Sequence, residues 1–574
     1  MIACWMAFAA FADPMVDGLK AEVDRAMRDL DLPNAPRPYH IGLRMSDIQS
    51  VRMSAAYGGL LRREVSPSRR LSAEVRVGDA DHDNSNFDVF QDGWNSRRTV
   101  LGSDPLALRH DAWLLVDESY KDAIEALAAK DAALQRRALG AKVPDFAPGP
   151  AQTAFLPLPT EPDPQAIEAS IRSASKRFLD HPQIEASKVY VRAAQGREIV
   201  VDSGGTTVVR PVDRVGVRVA ARVRADDGAS MVDQAVFVTR GDEVPDEKAL
   251  AEATDALVER LEAWRAAPVA QEAYVGPVLF EADAAVALVR RLLVPALTGT
   301  PPKDKPPRGS RVAVFGKAEG ESAMSAKRRV LPAGWFVDDD PMRDPTSPAA
   351  YAFDSEGEPA RKVELVRNGI VQSHLMTRTP RLSQIQSTGH ARGKTGTMLR
   401  AMPANLEVRA PKQRSERKLR RQALRLAADY GLDYYVVIRR IQDPAVEELG
   451  LGPSLNFAIL LGMAKAEALP GPVVAVKVYA DGREELVRGW AFGDFDRGLF
   501  RDVAAAGAQV ERTLLLPSPG ESAAPASGYA VAISTPSLLI DEVELSLDSR
   551  NVEKPPRIAN PLAANHQPEA SGPP

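Results

Sequence analysis

At 574 residues the chain is long enough for two or three domains, since single hydrophobic cores stop growing near about 250–300 residues. Apolar residues at 44%, charged residues at 26% and a formal net charge of −4 exclude a strong electrostatic bias toward nucleic acid or anionic membrane, so partners must be argued from sites. The single cysteine, Cys4, excludes an intramolecular disulfide and a cysteine cluster around zinc, and it leaves the redox compartment unread.

Residues 1–12 form an apolar run that ends in small residues before Asp13-Pro14. Two readings are open. One is a signal peptide without its basic start, implying a periplasmic or secreted protein; the other is an apolar segment packed on the first domain, compatible with a cytoplasmic one. No other stretch approaches the ~18 apolar residues of a membrane span.

Met15 to Leu32 has helical periodicity (Val16, Leu19, Val23, Met27, Leu30) and stops at Pro33. From His40 to Phe90 the apolar residues alternate in three short runs, IGLRM, SVRMSAAYGGLL and LSAEVRVG, which predicts antiparallel strands with one solvated face. The acidic run Asp79, Asp81, His82, Asp83, Asn84 invites a calcium reading, because hard cations take closely spaced oxygen ligands. It fails the EF-hand pattern, with Asn84 at the sixth position instead of glycine and Phe90 at the twelfth instead of glutamate, so a polar turn is expected.

A long helix is expected over Asp111 to Arg137, followed by a linker at about 142–164 with seven prolines. A further helix spans Gln165 to Leu179 and ends at His181-Pro182, where the imidazole reads as a C-terminal cap. Five β-branched runs between Lys188 and Thr239 predict a meander, and Ala249 to Trp264 returns to helix. Helices alternating with antiparallel strands give an α+β region over 13–268 with no βαβ rhythm.

From 269 the pattern becomes β-rich. A strand Val275 to Phe280 leads through Glu281 into an amphipathic helix, Ala282 to Leu297, and then a proline-rich loop over 301–307. Alone, Glu281 at a helix start reads as a carboxylate stabilised by the helix dipole. Next, Phe353-Asp354-Ser355-Glu356-Gly357 is a polar loop, and Lys362–Val366 and Ile370–Met376 are β-rich runs joined by Asn368-Gly369. That dipeptide suits a type I′ hairpin turn, whose two central residues need positive φ. A second loop, Ser387-Thr388-Gly389-His390, presents two hydroxyls and an imidazole. Ser387 and His390, with Asp354 or Glu356 behind, contain the ingredients of a nucleophilic triad, but no G-x-S-x-G elbow accompanies them, and backbone-bonded turn hydroxyls are the expectation.

The ordered series FDSEG, strand, Asn368-Gly369, strand, STGHARG resembles the C-terminal domain of the TldD/PmbA family, the paired TldD and TldE proteins described as metallopeptidases. Its spelling is nearer the PmbA (TldE) branch, and Pro403–Val408 and Ser534–Ile540 resemble further strands of that domain, so the resemblance covers roughly the second half of the chain. It implies a β-rich C-terminal domain over 269–548, with Asp354, Glu356, Gly357, Ser387, Thr388, Gly389 and His390 as candidate residues of a peptide channel. In TldD-type relatives the strand-to-helix junction carries HExxxH. Here Phe280 and Ala285 replace the histidines and Glu281 alone is kept, while none of the seven histidines forms a His-Glu dipeptide. A hydrolytic zinc needs about three convergent ligands. The resemblance therefore implies a chain with no catalytic residue, metal or cofactor of its own, zinc being expected only in a TldD-type partner. That partner, or a second copy of this chain, would help enclose a peptide substrate; the rival is a stand-alone peptide-binding or scaffold protein.

Arg414 to Tyr430 is a basic helix without interleaved aromatics, which argues against nucleic acid. Later segments continue as strands, and the tail 549–574, with six prolines, is expected to be disordered.

Overall fold

Two long hairpins explain the first half of the protein. The computed structural model describes residues 13–89, 92–135, 143–161, 163–241, 243–301, 303, 325–396, 398–443, 469–493, 495, 497–515, 529–548 and 561. The expected signal peptide over 1–12 with Cys4, most of the loop over 301–307, and the tail from 549 onward, Pro561 apart, lie outside the described residues. Among the described residues no helix is long and apolar enough to cross a membrane.

Helix α1 (Pro14–Asp29) starts where Asp13 accepts the Met15 N–H at 3.0 Å, an N-cap with proline in the first turn. Strands β1 (Pro38–Ala56) and β2 (Gly59–Asp79) follow, and helices α2 (Pro105–Leu134) and α3 (Pro164–Lys176) repeat the Asp-Pro start with Asp104 and Asp163 as caps. Next come β3 (Ala186–Asp202), β4 (Thr207–Arg224), β5 (Ser230–Thr239) and helix α4 (Glu247–Ala266). The strands pair antiparallel in the order β2-β1-β3-β4-β5.

Three runs read as separate strands between 40 and 90 are thus two, because Tyr57 and Gly58, both at positive φ, turn the chain inside the middle run. The five runs between 188 and 239 are likewise three strands, since Gln195-Gly196 and Pro211-Val212 stay within the ladder instead of turning. Odd-numbered residues of β1 and β2 (Ile41, Leu43, Met45, Leu71, Ala73, Val75), with Ile199, Val201 and Val209, pack under α1 and α2, while Val51, Met53 and the odd residues of 189–193 and 215–223 pack under α3 and α4.

The second sheet is mixed. Its main strands are β6 (Tyr274–Phe280), β7 (Phe336–Asp339), β8 (Val363–Arg367), β9 (Asn405–Arg409), β10 (Tyr434–Ile441), β11 (Pro472–Tyr479), β12 (Val503–Leu515) and β13 (Val531–Leu547). The order runs β8-β7-β9-β13-β6-β10-β11, with β9 parallel to β13 and β6 parallel to β10. Helix α5 (Ala282–Leu288) continues through a π turn, Val289–Leu293, into the short helix Val294–Leu297 and fills the core of one face; α6 (Glu416–Asp429) buries Leu419, Ala423 and Ala427 on the other. The fold is therefore α+β. The Asn368-Gly369 hairpin forms with φ of 52° and 74°, but its second strand is only Ile370–Val371, after which the chain leaves toward the first sheet.

One expectation is overturned. The even-numbered face of the first sheet, read as solvated, is covered between β1 and β4 by loops of the second half, where Arg44, Glu198, Asp202 and Arg210 are buried, and Arg76 of β2 is buried under Phe146 beside them. Alternation reports which residues avoid the helix-side core; it cannot tell water from another domain's polar loops.

Candidate functional site

Register assembles a cavity on this covered face. Gly42 of β1 lies opposite Glu74 of β2 on one side and Asp202 of β3 on the other. A Cβ at Gly42 would meet only the His40 ring, at 3.6 Å, so the missing side chain leaves a floor between two carboxylates. The loops 353–358 and 376–379 close the roof, giving a cavity of about 110 Å³ lined among others by His40, Glu74, Arg76, Asp202, Glu356 and Arg378.

Arg378 is the clamp. Its Nε donates to Glu358 at 3.0 Å and its Nη1 to Asp202 at 2.9 Å, tying the roof to the end of β3 with both carboxylates buried. The backbone N–H of Arg378 donates to the Glu356 carboxyl at 2.8 Å. Asp354 is buried and accepts the N–H groups of Glu356, Glu358 and Ala391 at 2.9, 3.0 and 2.9 Å, so its carboxylate builds the loop. Desolvation raises both carboxyls of this adjacent pair, and the charge of Asp354 adds to the rise at Glu356, which reaches about 8. Asp354, with three N–H donors against one, keeps the charge; Glu356 is the member that holds a proton at neutral pH.

His40 is its counterpart. Burial pushes the imidazole down to about 4, and the ring lies 4.8 Å from that of Phe146, over which the Arg76 guanidinium sits at 4.1 Å. Although desolvation works against it, Arg76 holds Glu74 below the ordinary carboxylate range. At neutral pH the cavity thus offers an un-ionised acid that can donate and an imidazole with both donor and acceptor nitrogens, between fixed ion pairs. Such groups suit an uncharged polar partner such as a peptide amide.

The acidic run beside the cavity is organised around an internal cation. Lys130 of α2 donates to the Asp83 and Ser85 carbonyls at 3.0 and 2.8 Å and to Asp145 at 2.6 Å, while Asp83 takes the Arg76 guanidinium and the Tyr39 hydroxyl, each at 2.7 Å. An ammonium tethered to the chain holds the oxygen cage.

The remaining sequence candidates sit elsewhere in the same roof. Gly357, at φ +78°, abuts Thr206. Ser387 Oγ accepts the Gly389 N–H at 3.1 Å, and Thr388 Oγ1 accepts the Met376 N–H at 2.7 Å. His390 is fully buried, with Nδ1 3.0 Å from the Thr388 carbonyl and Nε2 3.0 Å from Asp339. Ser387 and His390 make no hydrogen bond to each other, so the triad ingredients are not assembled. Of the seven channel candidates, Glu356 alone lines the cavity. Sequence reasoning passed over His40, Glu74, Arg76, Asp202 and Arg378; the available signal was charge of both signs on even positions of neighbouring strands.

At the junction of β6 and α5, Phe280 is buried and stacked on Phe492, Ala285 lies in the core, and Glu281 sits at the helix N-cap with its carboxylate 3.4 Å from Arg439. Desolvation raises the Glu281 carboxyl above its usual range despite that guanidinium. One carboxylate already facing a fixed cation, flanked by two apolar side chains, does not fit zinc. Among the described residues no three His, Cys, Asp or Glu side chains converge as metal ligands.

Residues 273–426, from β6 to α6, match the family model of the PmbA/TldA metallopeptidase C-terminal domain. That stretch is a domain of the TldD/PmbA type. Solved structures agree in fold. TldE from Thermococcus kodakarensis matches with a TM-score of 0.57 at 12% identity, over 92% of this chain and 100% of that one. Candidate modulators of DNA gyrase from Thermotoga maritima (TM-score 0.55, 14% identity, 88% of this chain and 96% of that one) and Bacteroides thetaiotaomicron (0.53, 11%, 92% and 98%) match similarly. No curated protein matches the sequence. The matched domain thus supplies both the roof of the cavity and the junction where Phe280 and Ala285 flank Glu281.

Proposed function

We propose that this TldD/PmbA-family protein is the metal-free, TldE-like subunit of a peptidase assembly, in which a zinc-bearing TldD-type partner hydrolyses peptides and this chain helps to enclose them. The observation that carries the reading is the β6–α5 junction, where Phe280, Glu281 and Ala285 stand and Arg439 faces the one carboxylate. In this reading residues 13–268 and 269–548 are its two working units, and an extended peptide is held through backbone hydrogen bonds, which give sequence-tolerant affinity. Glu356 contacts the peptide, while Asp354, Gly357, Ser387, Thr388, Gly389 and His390 hold the loops that position it. A stand-alone peptide-binding role is favoured by a different observation: residues of this chain line the cavity on both floor and roof.

Affinity purification from the native cell, with metal analysis and a peptidase assay on what co-purifies, separates the two. The subunit reading expects a second chain bearing HExxxH, zinc in the complex at one equivalent, and neither zinc nor hydrolysis in this chain alone. One tightly bound zinc in the isolated chain, with activity lost on chelation, would overturn it; a chain recovered alone that still binds peptides supports the stand-alone role.

A further inference from the structure

A second interdomain cluster, outside the cavity, gathers three guanidinium groups on one aromatic ring. Arg210 and Arg214 of β4 lie 5.9 and 5.3 Å from the centre of the Tyr529 ring, and Arg392 lies 4.9 Å from both the Tyr529 and Tyr351 rings. The ring is fixed by its hydroxyl, which donates to the Gly393 carbonyl at 3.0 Å.

The charges do not balance locally. Arg210 is paired with Glu198 and donates to Ser355 Oγ at 2.7 Å, and Glu198 also accepts the Thr395 hydroxyl at 2.7 Å. Arg392 donates to the Pro403 carbonyl at 2.7 Å and has no carboxylate within ion-pair distance among the described residues. Arg214 has the Tyr529 ring as its contact and, among the described residues, no hydrogen bond or ion pair. Among the described residues Glu198 is the one carboxylate in ion-pair contact with these three cations, Asp354 and Asp339 acting on Arg210 and Arg392 from further off, and burial lowers Arg214 and Arg392 from the ordinary guanidinium range. Arg214 and Tyr529 are only partly buried and give the cluster a solvent-facing edge, with Arg210 and Arg392 buried behind it.

We propose that Arg210, Arg214 and Arg392, arrayed on Tyr529, form an oxyanion-binding site that takes a carboxylate or phosphate group. Planar guanidinium forks match both anions and are held apart from one another by the ring they share. The site stands on its own geometry and does not depend on the subunit reading.

The full chain is titrated calorimetrically at constant ionic strength, in chloride, with inorganic phosphate, with N-acetyl-dialanine, and with the C-terminal amide of that dipeptide. Saturable binding of phosphate, of the peptide acid or of both that weakens in R214Q is expected, while any binding of the amide is unchanged by that substitution. Binding of the acid alone identifies a chain-end carboxylate as the source, and binding of phosphate alone a free phosphate. R214Q should weaken the bound anion about tenfold or more, the effect of one charge-assisted hydrogen bond. R214K, which keeps the charge and loses the fork, should retain phosphate better than carboxylate and guards against a folding defect in the first variant. No anion binding above chloride in the parent chain, or equal affinities in parent, R214Q and R214K, would overturn the proposal.

Discussion

Replacing Arg378 by Met tests whether the two halves of the molecule are joined through the cavity roof. Met keeps most of the aliphatic stem, so packing changes little, but the guanidinium that bridges Asp202 and Glu358 is lost. Both carboxylates are buried, at 8% and 2% exposure; Asp202 would lose its cation and Glu358 would keep only Arg361, 3.9 Å away. Removing one partner of a buried ion pair costs about 3–5 kcal/mol, chiefly from the charge left behind. For a cooperative unit of this size that corresponds to a Tm lower by roughly 6–20 °C, at about 2–4 °C per kcal/mol. Differential scanning calorimetry at pH 7 reads it, and D202N/R378M/E358Q should recover most of the loss, since neutral amides need no counter-charge. The pH dependence carries a second signature. Although desolvation opposes it, Arg378 holds Asp202 below the ordinary carboxylate range, so this share of stability is present above the unfolded carboxylate pKa and fades as pH falls through the lower folded one. R378M should lack that acid-side loss. A Tm change below about 1 kcal/mol equivalent, or a triple variant no more stable than R378M, would refute the reasoning.

Glu356→Gln gives the opposite pH behaviour. The folded pKa of Glu356 is raised to about 8, so its stabilisation is full below the unfolded carboxyl value and is lost as pH rises toward 8. Denaturant midpoints should therefore match the parent near pH 5 and exceed it near pH 8.5; equal midpoints at both would dismiss a protonated Glu356. Gly42→Val places a side chain on the cavity floor, where a Cβ meets only the His40 ring at 3.6 Å. Stability should stay within about 1 kcal/mol, because valine favours strands, while binding of a peptide probe to the cavity, followed by calorimetry, falls at least tenfold. Lys130→Met empties the oxygen cage and leaves Asp145 without its 2.6 Å partner; unfolding should come about 3–5 kcal/mol earlier in a urea titration, and an unchanged midpoint would mean the cage needs no cation.

Sequence alone was enough for features that depend on neighbours along the chain. The helix starts expected at Met15 and Gln165 fall within one residue of Pro14 and Pro164, whereas the helix expected from Asp111 begins at Pro105, where Asp104 caps it; Asn368-Gly369 turns because only such residues take positive φ cheaply. The ordered motifs from Phe353 to Gly393 pointed to the family, and the match over 273–426 agrees. Phe280 and Ala285 could be read as non-ligands because side-chain chemistry needs no coordinates. What only the tertiary structure decided is which polar residues meet. Glu74, Asp202 and Arg378 are separated by more than a hundred residues at each step, and a strand's alternation says that a side chain leaves the helix-side core without saying what receives it. The same holds for Lys130 in its cage and for three arginines on Tyr529. For Asp202 and Arg378, burial of charge is a property of the assembled halves, because the cost of desolvation and the ion pair that offsets it both arise only when the second half closes over the first.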